Sequence, residues 1–246
     1  MLRPVRVPFE RSEAAGVAAL AAASGLPLHI FRAEHVQERI RRALAAEEVE
    51  DVAALARLLR QEGHARARFR RTVAVSHSGF FRDSEQFEAL EQRVLPRLLE
   101  RRETLRVWSA GCANGLELWS MAVVLNRLGV LDRAELLGSD LLEENLAVAR
   151  AGHYDVVDVS PSLRGRPRWE RRDIVSEPAP AGAWDCILCR NVAIYLEPAA
   201  KAALHRRLAG ALSPGGIVVL GRSERLAEPS VFGLRRAEPH VYERTA

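Results

Sequence analysis

Cysteine is scarce and odd in number: Cys112, Cys186 and Cys189 are the only three in 246 residues. That count excludes a secreted scaffold stapled by disulfides. Cys186 and Cys189 spell C-x-x-C, but strand positions three apart point to opposite faces, and no second ligand pair completes a zinc site. All three therefore read as small core or turn residues, and no metal is expected. Lysine is nearly missing, with Lys201 the only one, so the net charge of +4 and the pI near 9.4 rest on arginine. No aromatic stacking platform accompanies those arginines, and overall basicity by itself does not imply a nucleic-acid partner. Long apolar runs are absent as well. Residues Met1 to Arg11 are interrupted by Arg3, Pro4, Arg6, Pro8 and Glu10 instead of forming a signal-peptide core, and no later run approaches membrane-spanning length. A cytoplasmic protein without direct membrane insertion is expected.

What is present is enough apolar material for a packed core, 48% of residues. Up to about Ala74 the pattern is helical. Glu13 to Ala23 is Ala-rich, Phe31 to Ala46 places Val36, Ile40 and Leu44 four apart, and Asp51 to Gln61 opens on an N-cap residue and stops at Gly63. A helical N-terminal domain over 1–75 is expected. It carries thirteen Arg against nine acids, about +4 net, so the positive excess sits there. Opposite the apolar face of the second helix, Arg32, His35, Arg39 and Arg42 form a basic stripe that reads as a solvated face or as a docking surface for an acidic helix.

Residues 76–246 read as a second domain. Val75 to Asp83 is a hinge, and Ser84 caps an amphipathic helix carrying Phe87, Leu90, Val94, Leu95, Leu98 and Leu99. Strand and helix signals then alternate: strands at Leu105–Ser109, Ala134–Ser139, about Arg168–Arg172, Trp184–Cys189 and Ile217–Leu220, with helices at Leu116–Leu128, Leu142–Ala151 and Pro198–Leu212. A hairpin over Gly233–Ala237 and His240–Arg244 closes the pattern. The expectation is an α/β fold with a Rossmann-like methyltransferase sheet: a parallel core plus a C-terminal antiparallel hairpin.

Polar residues are placed where those strands end. In open α/β sheets that is where ligands bind. The fourth strand runs into Arg190, Asn191 and Tyr195, the first into the turn Gly111-Cys-Ala-Asn-Gly115, the second into Asp140, and the third into Asp173 and Ile174. The glycine turn does not spell G-x-G-x-x-G, and Glu117 at the start of the following helix repels phosphate while suiting a cationic amino group. Asp140 suits ribose hydroxyls, or else caps the next helix. Asp173 suits an adenine amino group, with Ile174 packing on the ring. S-adenosylmethionine fits the description of adenosine joined to an amino acid without phosphates.

The chain resembles the chemotaxis protein-glutamate methyltransferases. The resemblance is carried by Ser78-Gly-Phe-Phe-Arg82-Asp83, Trp108 to Ser120, Gly138-Ser-Asp140, Ala151-Gly-His-Tyr154, Cys189-Arg-Asn-Val-Ala-Ile-Tyr195, Pro214-Gly-Gly and Gly221-Arg-Ser-Glu224, and it covers most of the chain. It implies S-adenosylmethionine as cofactor and S-adenosylhomocysteine as product, contacted by Ser76, Ser78, Arg82, Glu117, Asp140, Asp173, Ile174, Arg190 and Asn191. It implies Arg82 and Tyr195 as catalytic residues beside the reacting methyl, and Arg32, Arg39 and Arg42 gripping an acidic helix of a chemoreceptor or related protein. Ser76 replaces a usual Asn, Ser78 a usual Thr, Asp173 a usual Asn, and Leu116 the first of two acids. Only about 18 residues separate Tyr154 from Asp173, where the family usually inserts a small β-subdomain that in some members docks on a receptor tail.

The implied reaction is esterification of glutamate side chains, with Arg82 or Arg190 holding the carboxylate and no general base required. An alternative is a degenerate, non-catalytic cofactor- or partner-binding member of the same fold. Base methylation is disfavoured, because Arg190-Asn-Val-Ala stands where such enzymes often carry an Asn/Asp-Pro-Pro-aromatic run.

Overall fold

The computed structural model describes residues 11–75, 79–155 and 157–245. The chain divides into two compact units, Met1–Val75 and Ser76–Ala246. The first is helical: α1 (Arg11–Ser24), α2 (Ala33–Ala46), α3 (Val52–Gln61) and α4 (Gly63–Ala74). Asp51 caps α3 by accepting from the Ala54 amide at 2.7 Å. Gly63, expected as a stop, opens α4 with only Glu62 between it and the end of α3. The core of this unit contains Leu20, Leu28, Val36, Ile40, Leu55, Leu59, Phe69 and Val73.

The stripe on α2 does not lie opposite its apolar face. His35 Nε2 bonds the Val73 carbonyl of α4 at 2.8 Å, so this flank borders the buried seam. At about 100° per residue, Arg39 lies roughly 40° around the helix from Ala43 and roughly 60° from Val36, and its Nε is buried without a hydrogen-bond partner among the described residues. Arg42 pairs with Glu38 one turn earlier at 2.7 Å.

The second unit begins with one helical stretch in three parts: α5 (Ser84–Ala89), a π-turn over Leu90–Val94, and α6 (Leu95–Leu99). Pro96 lacks the amide a regular helix would use and crowds the carbonyl four residues back, and the widened turn accommodates it. Asp83, not Ser84, holds the N-cap position, at φ 58° and with no side-chain cap.

The central sheet contains β1 (Leu105–Ala110), β2 (Ala134–Asp140), β5 (Pro167–Arg171), β6 (Trp184–Cys189), β7 (Leu212–Leu220), β8 (Leu234–Glu238) and β9 (Val241–Arg244), in the order β5-β2-β1-β6-β7-β9-β8. The first five are parallel neighbours, and β9 runs antiparallel between β7 and β8. Helices α7 (Leu116–Arg127), α8 (Glu143–Ala151) and α10 (Pro198–Ala211) make the crossovers. β6 is buried at every position, as a central parallel strand covered on both faces must be. β7 starts five residues before the expected Ile217, and its pairing with β6 is irregular around Trp184 and Cys186.

Between Tyr154 and Asp173 the structure has a two-residue strand pair, β3 (His153–Tyr154) with β4 (Val157–Asp158), and the single turn α9 (Pro161–Arg164) before β5. Among the described residues of this stretch no subdomain stands there. Strand order reverses between β1 and β6, and that switch point places the site.

Candidate active site at the sheet switch point

The turn after β1 is held by the end of β2. Gly111 and Cys112 amides donate to the Ser139 carbonyl at 2.8 and 2.9 Å, and the Ala113 amide donates to Asp140 Oδ2 at 2.9 Å. Gly111 has φ 78°, and a Cβ there would meet Val192 at 2.8 Å and Ile174 at 3.4 Å. The ends of β5 and β6 thus close directly over the turn after β1. The Asn114 carbonyl accepts from Tyr154 Oη at 2.6 Å, and burial pushes that phenol up to about 12.

Asp140 is 8% exposed and accepts from the Leu142 amide, Asn145 Nδ2 and the Ala113 amide, each at 2.9 Å. The helix-capping role and the strand-end position are thus held together. A carboxylate offers about four acceptor positions, so one on Oδ2 remains for a hydroxyl. Burial raises the Asp140 pKa against the lowering effect of its three bonds. Asp173 is more locally committed: it accepts from the Val175 and Ser176 amides at 2.9 and 3.2 Å and from Ser176 Oγ at 2.6 Å.

Glu117 lies on the first turn of α7, accepts from Ser109 Oγ at 2.7 Å and faces Arg190 Nη1 at 3.4 Å. Burial raises its pKa, and the Arg190 charge and the Ser109 bond oppose the rise. Arg190 is turned inward among partners of its own chain. Its side chain is 2% exposed, and its guanidinium donates to Gln86 Oε1 at 2.7 Å, the Arg82 carbonyl at 2.5 Å and Asp83 Oδ2 at 2.9 Å, with the Phe87 ring 5.0 Å away. It ties the Phe80–Asp83 turn to β6. Arg82 projects from that turn and is exposed.

Asn191 adopts φ 60°. The residue that fixes it went unassigned in the sequence: Glu224, 1% exposed, accepts from the amides of Asn191 and Ala193 at 2.7 Å and of Gly221 at 2.8 Å. Tyr195 ends the single 3-10 turn that begins at Ala193. Gln86 and Asp83 were also missed as partners of Arg190. The spacing Gly221-Arg-Ser-Glu224 was visible, but nothing in it says that an acid will bind backbone across two loops. Ser76 and Ser78 lie outside the described residues.

Four of the non-glycine residues with positive φ belong to these loops: Phe81, Asp83, Ala113 and Asn191, at 47° to 60°. Such strain clusters at ligand sites. Asn114 Oδ1 is buried without a hydrogen-bond partner among the described residues, leaving an acceptor in the glycine turn for a ligand donor. Acceptors converging with no phosphate-binding cation at the turn fit an adenosyl amino acid.

Residues 76–161 and 155–240 match the family model described as CheR methyltransferase, SAM binding domain. The chain belongs to the CheR methyltransferase family. Its cofactor is S-adenosylmethionine, and the non-catalytic alternative is not favoured. It is 28% identical to the chemotaxis protein methyltransferase of Listeria monocytogenes over 90% of this chain and 92% of that one. It is 30% identical to chemotaxis protein methyltransferase 1 of Vibrio cholerae over 77% and 82%. Among solved structures it overlaps the amino pentose methyltransferase CalS10 of Micromonospora echinaspora at a TM-score of 0.39, with 20% identity and 66% of each chain covered. Strand order, not this overlap, fixes the architecture. No helix among the described residues is long and apolar enough to cross a membrane. The three cysteines are buried free thiols whose pKa burial raises.

Proposed function

We propose that this CheR-family methyltransferase esterifies glutamate side chains of a chemoreceptor or related signalling protein. The observation that carries the reading is the set of buried acceptors at the switch point, Glu117, Asp140 and Asn114 Oδ1, in a chain matched by this family's cofactor-binding model. When bound, S-adenosylmethionine supplies an electrophilic sulfonium methyl. A glutamate carboxylate, with a reference pKa of about 4.3, is already ionised at neutral pH, so the chain supplies no general base.

Its residues supply position and exclusion of water. Asp140 offers its remaining lone pair to a ribose hydroxyl, and Glu117 faces the amino group. Asp173 and Ile174 border the adenine, alongside Asn191. Arg190 and Glu224 hold the two loops, Arg82 orients the incoming carboxylate, and Tyr195 lines the approach to the methyl. A tight bidentate grip would blunt the carboxylate as a nucleophile, which favours one exposed Arg82 over a buried clamp. Ser76 and Ser78 are proposed as further cofactor contacts.

The unit Met1–Val75 is proposed to dock the substrate, with Arg32, Arg39 and Arg42 of α2 meeting an acidic helix. The test is incubation with methyl-labelled S-adenosylmethionine and a soluble receptor signalling fragment. Base-labile methyl release from the fragment is expected, abolished when its methylatable glutamates are changed to alanine. Label that is stable to base, or incorporation that survives those changes, overturns the reading.

A further inference from the structure

The Arg82 amide closes a four-residue turn on the Gly79 carbonyl at 3.2 Å, which puts Phe80 and Phe81 at its two central positions. Phe81 adopts φ 50° there. Positive φ at the second central position of a turn ordinarily calls for glycine or asparagine, and a bulky residue keeps it only where its surroundings impose it. Ring packing does not impose it. Phe81 meets Phe80 and Phe87 edge to face, with centroids at 4.8 and 5.3 Å, and the Arg127 guanidinium lies 5.3 Å from its ring. Those contacts seat the side chain and leave the direction of its peptide N–H open.

Ser120 sets that direction. It is fully buried on α7, its Oγ donates to the Leu116 carbonyl at 2.7 Å, and it accepts from the Phe81 amide at 2.8 Å. A hydroxyl has one proton, so the bond back to Leu116 leaves a lone pair for Phe81. Arg190 takes the Arg82 carbonyl and the Asp83 carboxylate. Arg82 is thus pinned on both sides of its Cα. The two anchors differ in one respect: Arg190 also reaches Glu117 in the cofactor site, whereas the other bond of Ser120 stays within its own helix.

We propose that Ser120 is a positioning residue that places Arg82 for methyl transfer by holding Phe81 in its left-handed conformation. This rests on the carboxylate-orienting role proposed for Arg82. Alanine at 120 leaves α7 intact, because it is the better helix former and the bond from Oγ to Leu116 is no part of the helix ladder. What it releases is the Phe81 amide: the turn relaxes toward negative φ and carries Arg82 off its position. A misplacement of about 1 Å costs on the order of 100-fold in rate, so the effect is kinetic.

The test has two readouts on the full chain. In hydrogen exchange, Ser120→Ala is expected to speed exchange at the Phe81 amide at least tenfold, with the urea midpoint nearly unchanged; exchange as slow as in the parent protein overturns the proposal. This readout needs no methyl acceptor, so it stands apart from the glutamate reading. With methyl-labelled S-adenosylmethionine and a soluble receptor signalling fragment, Ser120→Ala is expected to lower kcat at least tenfold, with S-adenosylhomocysteine affinity within twofold of the parent. Arg82→Ala with Ser120→Ala is expected to be no slower than Arg82→Ala alone. Losses that multiply overturn the proposal and leave the role of Arg82 standing, and a parallel loss of S-adenosylhomocysteine affinity overturns it as a merely structural effect. A parent rate in Arg82→Ala removes both readings.

Discussion

Glu224→Gln should loosen the loop that carries Asn191 without unfolding the protein. The carboxylate accepts three backbone amides: Asn191 and Gly221 share Oε2, and Ala193 uses Oε1. Glutamine keeps one acceptor oxygen and turns the other into an NH2 group. If the oxygen stays with Asn191 and Gly221, the NH2 faces the Ala193 amide, donor against donor. The loss is one charge-assisted bond, the charge on the other two, and the satisfaction of a buried N–H. With hydrogen bonds to charged groups contributing about 1.5–3 kcal/mol and an orphaned buried donor costing about 1–3 kcal/mol, the substitution should cost roughly 3 kcal/mol. For a chain of this size that is roughly 6–12 °C in Tm. Small domains hold about 5–15 kcal/mol, so the variant remains folded. Calorimetric unfolding gives the stability change, and titration with S-adenosylhomocysteine gives the effect on the site, expected as at least a tenfold loss of affinity. A stability change under 1 kcal/mol with unaltered affinity would refute the idea that Glu224 holds this loop.

Asp140→Asn should keep the Leu142 cap yet weaken cofactor binding at least tenfold by isothermal calorimetry, whereas Arg39→Ala should leave that affinity unchanged and lower methyl transfer to protein. Gly138→Ala would place a Cβ 2.4 Å from the Trp169 ring, and overpacking there should cost about 1–3 kcal/mol in urea unfolding. Arg190→Gln strands Asp83 and Glu117 and should cost about 3–5 kcal/mol by the same measurement. His205 is buried beside Phe232 with no hydrogen-bond partner for Nε2 among the described residues, and burial, then Lys201, lowers its pKa to about 4. The unfolded chain takes up that proton near pH 6.5 and the folded one only near pH 4, so stability is full above pH 6.5 and falls as pH drops through that window. The loss is about 3 kcal/mol, and it should disappear in His205→Leu.

Most of the parallel core was legible because its strands, the charged edge strand β5 apart, carry short apolar runs bounded by a breaker, and a run such as Trp184–Cys189 has no competing helical period. Strand-end residues were legible for the same reason: a polar residue straight after such a run has only one place to be. Helix ends were less legible. Gly63 reads as a terminator by propensity, yet α4 begins on it, since packing of Phe69 and Val73 outweighs the roughly 1 kcal/mol a glycine costs. The π-turn before Pro96 widens a helix by one residue per turn, a change that leaves hydrophobic spacing almost intact.

The least legible feature is what the charges do. Arg190 reads as a ligand-facing charge, because a sequence shows charge without showing partners. In the fold, Arg190 spends its donors on Gln86, the Arg82 carbonyl, Asp83 and Glu117, and Glu224 spends its acceptors on backbone. Apart from the bond between Gly221 and Glu224, these are contacts between positions 31 to 108 residues apart, and no local pattern encodes them. Four backbone positions near αL, at Phe81, Asp83, Ala113 and Asn191, require such cross-links, since loops strained this way relax unless other loops hold them. The site is therefore made by two kinds of charged residue. Asp140 keeps an acceptor position toward a ligand, and Arg190 and Glu224 spend their groups on keeping the strained loops in place. Substituting the second kind should change stability and cofactor affinity together, and that joint change is what separates them from the first.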